Sequence, residues 1–385
     1  MIADGRDTCD IALIGPAHPI KGGIAQHTTE LAHQLAAEGH RVRIESWSAQ
    51  YPAILYPGEQ NVIGDEELPT FEATRRTLRW WDPLSWWRVG RRIRGADRIV
   101  VTIVTSVQII PYHLLLIAAG RRRPQIVALC HNVLPHEPRR PDVALVRSFL
   151  RRCDRVLTHS RAEADEARRL APGRPVCTAP IPPHLPTGAI ASAAGRPATG
   201  RLLFFGLVRP YKGLDDLLDA MTMVEQGELT IAGEVWGGTE ALERRIADLG
   251  LGDRVHLLPG YVDAADLPAL FAEHDALVLP YRDGTASQNV LLANRLGLPV
   301  VATNVGSFPS QIEDGVTGRI VEPFDPPSLA SALAEIAEPE RLEYYRAGVA
   351  ALPDPSALWP GYIATLLESE SPAAGSAPAR PDPQE

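Results

Sequence analysis

At 385 residues, with 45% apolar and 22% charged side chains, the chain is too long for one core and reads as a soluble globular protein of roughly two domains. Its four scattered cysteines (Cys9, Cys130, Cys153, Cys177) have neither metal-ligand spacing nor the density of a disulfide framework and read as reduced cytosolic thiols, while the acidic start MIADGRDTCD is no signal peptide. The net charge of −9 is uneven: residues 1–190 carry 25 basic and 19 acidic side chains and the remainder 13 and 28, so the first half suits an anionic acceptor or a membrane surface, unless surface composition merely drifts.

In chain order, IALIGPA reads as a strand and GIAQHTTELAHQLAAEGH as a helix closed by Gly39, with RVRIESW strand-like again. Residues 75–94, RRTLRWWDPLSWWRVGRRIR, combine Trp80, Trp81, Trp86 and Trp87 with seven arginines. This stretch suits either a membrane interface or an acceptor grip, or packing against a sheet, since Pro83 interrupts it. The apolar run 99–119 is broken by Thr102, Thr105, Gln108, Pro111 and His113, so it reads as a buried strand and a helix rather than a membrane span. RIVVTIV, QIVALCHN and RVLTHS are further strands, each followed by a helical pattern.

Residues 180–200 are rich in Pro, Gly, Ala and Ser and read as a linker. Beyond it the alternation restarts with RLLFFG, ELTIAGE, VHLLPGY, DALVLPY and PVVATN, separated by helical patterns. Alternation of this kind predicts parallel sheets built from βαβ units. The expected organisation is an N-terminal domain over 1–185, a linker over 186–200, and a second doubly wound domain over 201–355. A helix over 356–368 is expected to return to the first domain, and the Pro-rich tail 369–385 to stay unfolded.

Ligands of open parallel sheets sit beyond the carboxyl ends of the strands, where most of the motifs fall. Gly22 and Gly23, in GPAHPIKGGIAQH, form a strand-to-helix loop that either lets backbone approach a ligand or only serves packing. The loop is not GxGxxG, so a nicotinamide cofactor is not expected. His131 follows the strand in ALCHNVLPHE and is either structural or able to hydrogen-bond a sugar hydroxyl; His136 and Glu137 are weaker candidates. In FFGLVRPYKGLDD, Arg209 and Lys212 either form a solvated basic loop or neutralise a departing pyrophosphate.

The choice of residue bears on that alternative. Of 38 basic residues only Lys21 and Lys212 are lysines, and both stand beside glycine. Asp283, Ser287, Gln288 and Asn289 cluster before an apolar helix that they can cap or from which they can hold phosphate oxygens. No Asp-x-Asp, His-Glu-x-x-His, Walker-type or Gly-x-Ser-x-Gly pattern occurs, so divalent-metal and serine chemistry lack their usual marks.

In their order along the chain, GGIAQHTTELAHQLAAEGHRV, HNVLPHE, FFGLVRPYKGLDDLL, LTIAGEVW, LVLPYRDGTASQNV and LGLPVVATNVGSFPSQIEDGVTGRIVEP give a sequence that resembles family 4 glycosyltransferases. The resemblance runs from Ile11 to about Glu335 and is more specific in the second half. It implies a GT-B fold, α/β with two Rossmann-like doubly wound domains facing across a cleft. It further implies metal-independent, retaining transfer, of hexosyltransferase type, from a nucleotide-diphosphate sugar that acts as co-substrate, with no other cofactor. The acceptor would be a hydroxyl of a glycan, a lipid-linked sugar or a small molecule, with no nucleic acid involved.

By the same resemblance, Gly22 and Gly23 border the donor phosphates and the acceptor, and His131 contacts the transferred sugar. Lys212 binds the pyrophosphate, with Gly206 opening its loop. The usual partner arginine would stand at Leu207, so its role passes to Arg209. Gly233 and Glu234 lie near the donor, and Tyr261 and Val262 near the nucleobase. The family's glutamate pair is absent: Leu292 stands at the ribose-binding position and Asp283 lies close to the other, so Ser287, Gln288 and Asn289 take over donor recognition. Two alternatives share this fold, a nucleotide-sugar epimerase or hydrolase and a non-catalytic nucleotide-sugar-binding partner. The expected location is the cytoplasm, with peripheral membrane contact through the four tryptophans and nearby arginines.

Overall fold

Runs of Val, Ile and Leu that are buried on both faces form parallel strands, because helices cover both sides of the sheet. The computed structural model describes residues 8–50, 70–120, 124–135, 139–183, 196–263, 266–284 and 287–368; His136, Glu137, most of the expected linker and the tail lie outside these. Seven strands form the first sheet: β1 (Asp10–Ile14), β2 (Arg41–Ala49), β3 (Thr74–Arg79), β4 (Arg98–Ile103), β5 (Gln125–Cys130), β6 (Arg155–Thr158) and β7 (Val176–Thr178). They pair in parallel in the order β3-β2-β1-β4-β5-β6-β7.

The second sheet holds β8 (Arg201–Phe205), β9 (Glu228–Gly233), β10 (Val255–Pro259), β11 (Ala276–Leu279), β12 (Val300–Thr303) and β13 (Gly318–Val321). Its order, β10-β9-β8-β11-β12-β13, is again all parallel. In each sheet the strand order reverses once, between β1 and β4 and between β8 and β11. Loops leaving neighbouring strands diverge at such a reversal and open a crevice.

Helix Gly23–Ala37 places Leu31, Ala32 and Leu35 on one buried face against β1 and β2. The same core receives Trp359, Tyr362, Ile363 and Leu366 of the last described helix, Leu358–Leu367. The Trp359 indole N–H donates to the Pro183 carbonyl at 3.1 Å, and Arg155 donates to the carbonyls of Thr365 and Glu368 at 2.9 and 2.7 Å. The last described helix thus belongs to the core of the first domain.

Residues 75–94 resolve into two elements rather than one amphipathic stretch. β3 is followed by helix Pro83–Arg92, whose N-cap Asp82 accepts from the Leu84 N–H. Helical geometry then splits the tryptophans. Trp86 shares the inner face with Val89 and Gly90 and donates to the Arg79 carbonyl at 2.6 Å. Trp80 is half-buried against the same core, whereas Trp81 and Trp87 are exposed. The expected four-tryptophan surface is corrected to two: Trp86 and Trp87 are successive helical residues that point about 100° apart, and Trp80 and Trp81 lie in the turn before the helix, where only Trp80 packs on the core.

Candidate active site

The loop after β8 is shaped by glycine and proline. Gly206 adopts φ 105° and Gly213 φ 66°, and a Cβ on Gly213 would stand 1.8 Å from the Pro280 carbonyl oxygen. Only glycine lets the two chains approach so closely. Between them, Pro210–Lys212 forms one 3-10 turn that delivers Lys212 inward. The ammonium is buried, lies 5.3 Å from the centre of the Tyr281 ring and 3.0 Å from where a Gly206 Cβ would be. Among the described residues no carboxylate pairs with it. Burial, seconded by the nearby Arg209, pulls its pKa below the ordinary lysine value. Arg209 lies over the Trp236 ring at 4.0 Å.

The end of β11 forms the adjoining wall. The Asn289 amide donates to the Phe205 carbonyl at 3.1 Å, and Asn289 and Ser287 engage the buried Tyr281 hydroxyl. Asn289 thereby ties its helix to β8 and sets the wall behind Lys212. Gln288 heads helix Asn289–Arg295 without capping it, and both its amide atoms are shielded with no hydrogen-bond partner among the described residues. Asp283 is exposed and accepts from the Gly284 N–H at 2.8 Å, closing a local turn. Leu292 is buried with Val290 and Ala293 in the apolar core of this domain, so the position of the expected ribose contact faces inward.

Gly233 ends β9 at φ 147°, and a Cβ there would meet the Gly206 carbonyl oxygen at 2.3 Å. Glu234 then reaches across the cleft and accepts from the Lys21 ammonium at 2.9 Å. The same ammonium lies 5.0 Å from the centre of the Tyr261 ring, while Val262 packs against the core of the second domain. Gly22, at φ 108°, caps helix Gly23–Ala37 with its carbonyl and stays exposed at the end of β1. Lys21 therefore bridges the domains rather than capping its own turn.

His131 stands at the end of β5, on the other side of the cleft, and is buried. Its ring packs against those of His27 and His159 at 5.0 and 4.8 Å, and Tyr362 contacts both of these neighbours. The His159 Nδ1–H donates to the Ala179 carbonyl at 3.2 Å, and burial lowers its pKa to about 4. Protons bind His159 more readily in the unfolded chain, so its contribution is complete above pH 6.5 and is lost as pH falls from there toward 4. Urea unfolding is expected to find the wild type less stable at pH 5 than at pH 7 by about 2 kcal/mol from this group. His159→Phe should remove that part of the difference; an unchanged pH dependence would sink the assignment.

The second domain thus gathers Gly206, Lys212, Tyr281, Ser287 and Asn289 around one loop, with Arg209, Gly233 and Glu234 beside it. Gly22, Lys21 and His131 belong to the first domain. Lys21, Trp236 and Tyr281 were not assigned from sequence, although Lys21 stood out as one of two lysines, Trp236 in AGEVW and Tyr281 in LPYRDG.

Two family models match successive parts of the chain: "Glycosyltransferase Family 4" over residues 21–182 and "Glycosyl transferases group 1" over 199–338. A D-inositol 3-phosphate glycosyltransferase of Paenarthrobacter aurescens is 29% identical over 232 residues, 58% of this chain and 56% of that protein. The chain spans about half the length of the curated relatives it matches. Among solved structures, sucrose-phosphate synthase from Thermosynechococcus elongatus is similar in fold, with TM-score 0.72 and 20% identity over 92% of this chain and 97% of that one. Anabaena Alr3699/HepE in complex with UDP gives TM-score 0.69 and 17% identity, over 93% and 99%. With each model lying on one of two facing parallel-sheet domains of GT-B type, this chain is a family 4-like glycosyltransferase.

Proposed function

We propose that the protein transfers a sugar from a nucleotide-diphosphate sugar to a hydroxyl acceptor, with retention and without a metal ion. The observation that carries this reading is Lys212, a buried ammonium with no carboxylate partner among the described residues, set at the switch point beside Gly206. A buried charge requires compensation, and a pyrophosphate supplies it. In the proposed step the bond from the anomeric carbon to the β-phosphate oxygen breaks, leaving negative charge that Lys212 and Arg209 stabilise. The acceptor oxygen bonds that carbon on the face being vacated, and its proton leaves with the nucleoside diphosphate. His131 orients the sugar from the opposite domain, and its packing against His27 and His159 fixes the ring.

Gly22, Gly23, Gly233 and Glu234 line the approach to the donor in this reading, Tyr261 and Val262 the base, and Gln288 and Ser287 take the place of the absent glutamates. The reaction belongs in a reducing cytoplasm, in keeping with four cysteines that form no disulfide. Because the similar HepE was crystallised with UDP, uridine diphosphate is the first nucleotide to test.

The test is a thermal-shift series with uridine, guanosine, adenosine and thymidine diphosphates and their glucose derivatives. At least one is expected to raise the melting temperature, and to lose its sugar only when an acceptor is present. No shift with any of them would overturn the proposal. Donor turnover without acceptor would replace it with an epimerase or hydrolase, and binding without turnover with a non-catalytic binding protein.

A further inference from the structure

The outer surface of the N-terminal domain carries an apolar face that the transfer chemistry does not use. Of the thirteen large apolar side chains exposed among the described residues, seven lie between Trp81 and Ile117. Val107, Ile110, Leu114 and Ile117 follow one another at intervals of three and four, which puts them on a single stripe leading into and along helix Ile109–Ala119. That stripe faces solvent, and the opposite side of the helix, with Tyr112, Leu115 and Ala119, fills the core. Helix Pro83–Arg92 lies directly alongside, for a Cβ on Gly90 would stand 2.2 Å from the Leu115 carbonyl oxygen. Its inner residues Trp86 and Val89 enter the same core, so its outward Leu84 and Trp87 share one surface with the stripe.

The charge around this surface is mainly positive, since its acids Asp82 and Asp97 accept from the backbone N–H groups of Leu84 and Asp10. Residues 83–94 contain Arg88, Arg91, Arg92 and Arg94 and no acid; Arg92 is paired with Glu45, and the other three are exposed. Helix Ile109–Ala119 has no charged residue. A second copy of the chain seated here about a two-fold axis would bring arginine against arginine, with Asp82 and Asp97 already engaged by backbone N–H groups of their own chain. Apolar side chains and tryptophan inside an arginine fringe match a different partner, the interface of an anionic lipid bilayer, where rings sit at headgroup depth and arginines meet phosphate. Among the described residues no helix is long and apolar enough to cross a membrane, so the contact is peripheral.

We propose that the Trp81–Ile117 face docks the protein on an anionic membrane surface, with Trp87, Ile110, Leu114 and Ile117 entering the interface and Arg88, Arg91 and Arg94 contacting lipid phosphates. This stands independently of the donor chemistry. The full chain is sedimented with vesicles of phosphatidylcholine alone and of phosphatidylcholine mixed with phosphatidylglycerol, at low and high salt. Wild type is expected in the pellet with the anionic vesicles at low salt and largely in solution with the neutral ones. The variant Trp87→Ser/Ile110→Ser/Ile117→Ser, with an unchanged melting temperature, should partition at least about tenfold less. Arg88→Glu/Arg91→Glu should lose the preference for anionic vesicles.

Failure of wild type to pellet, or equal pelleting by the triple variant, would overturn the proposal. So would a wild-type dimer, seen by analytical ultracentrifugation without vesicles, that the triple substitution converts to monomer; that result would assign the face to a second copy of the chain.

Discussion

Replacing Lys212 with methionine is expected to lower kcat/KM for sugar transfer by about 100- to 1000-fold while leaving the ligand-free protein at least as stable as wild type. The two effects have one origin. Lys212 is buried beside Arg209 and Tyr281, with no carboxylate partner among the described residues, and its pKa is lowered by that burial. Holding a charge there costs free energy in the absence of ligand, so an apolar side chain of similar length removes a penalty and keeps the packing. Once a pyrophosphate arrives, the same charge becomes the compensating partner, and its loss is felt mainly as negative charge builds on departure. The melting temperature rise caused by a nucleoside diphosphate should therefore shrink or vanish in Lys212→Met. A purely structural lysine would give the reverse pattern, a lower melting temperature without ligand and an intact nucleotide shift. Enzyme kinetics together with thermal shifts on one pair of proteins decide between the two.

The sequence carried much of this arrangement because the signals were local. Strands such as RIVVTIV and LTIAG announce burial on both faces through short runs without internal charge, and the restart of alternation after residue 200 exposes the second sheet. What escaped was short or depended on context. β7 is three residues long, β13 begins with Gly318, and β3 was hidden in an arginine-rich segment whose tryptophans outweighed its strand pattern. Gly213 could be read as a turn residue, but not as the point where two loops press together against Pro280, since that contact joins residues far apart in the chain.

The site divided in the same way. Lys212 was conspicuous because the chain otherwise avoids lysine, whereas the reach of Lys21 to Glu234 is set by how the domains face one another. Side-chain direction is equally hard to read from a cluster of polar letters. Asn289 turns back to the Phe205 carbonyl and Leu292 turns into the core, although both sit on the same short helix.

The second large effect concerns the frame that carries the donor loop. Arg346 and Asp275 are an almost fully buried ion pair at 2.7 Å. Asp275 also accepts from the backbone N–H groups of Thr199 and Gly200, both at 2.7 Å, and from the Thr199 hydroxyl at 3.0 Å. Arg346 in turn donates to the Arg196 carbonyl at 2.7 Å. One carboxylate thus fastens the entry of β8, the entry of β11 and helix Pro339–Ala350 together. Asp275→Ala would strand the guanidinium and two backbone donors, and should cost about 3–5 kcal/mol of unfolding free energy. Arg346→Met should cost less, because the carboxylate keeps three of its donors. In the double variant the two losses should add to less than their sum, since the stranded partner is gone. Equilibrium unfolding of the three variants measures this ordering, and equal losses in both single variants would contradict it. Nucleotide binding would then weaken in Asp275→Ala only as the domain unfolds, recovering at lower temperature, whereas the Lys212→Met defect should persist at every temperature where the protein is folded. That contrast separates a charge that meets the donor from a charge that holds the donor's domain together.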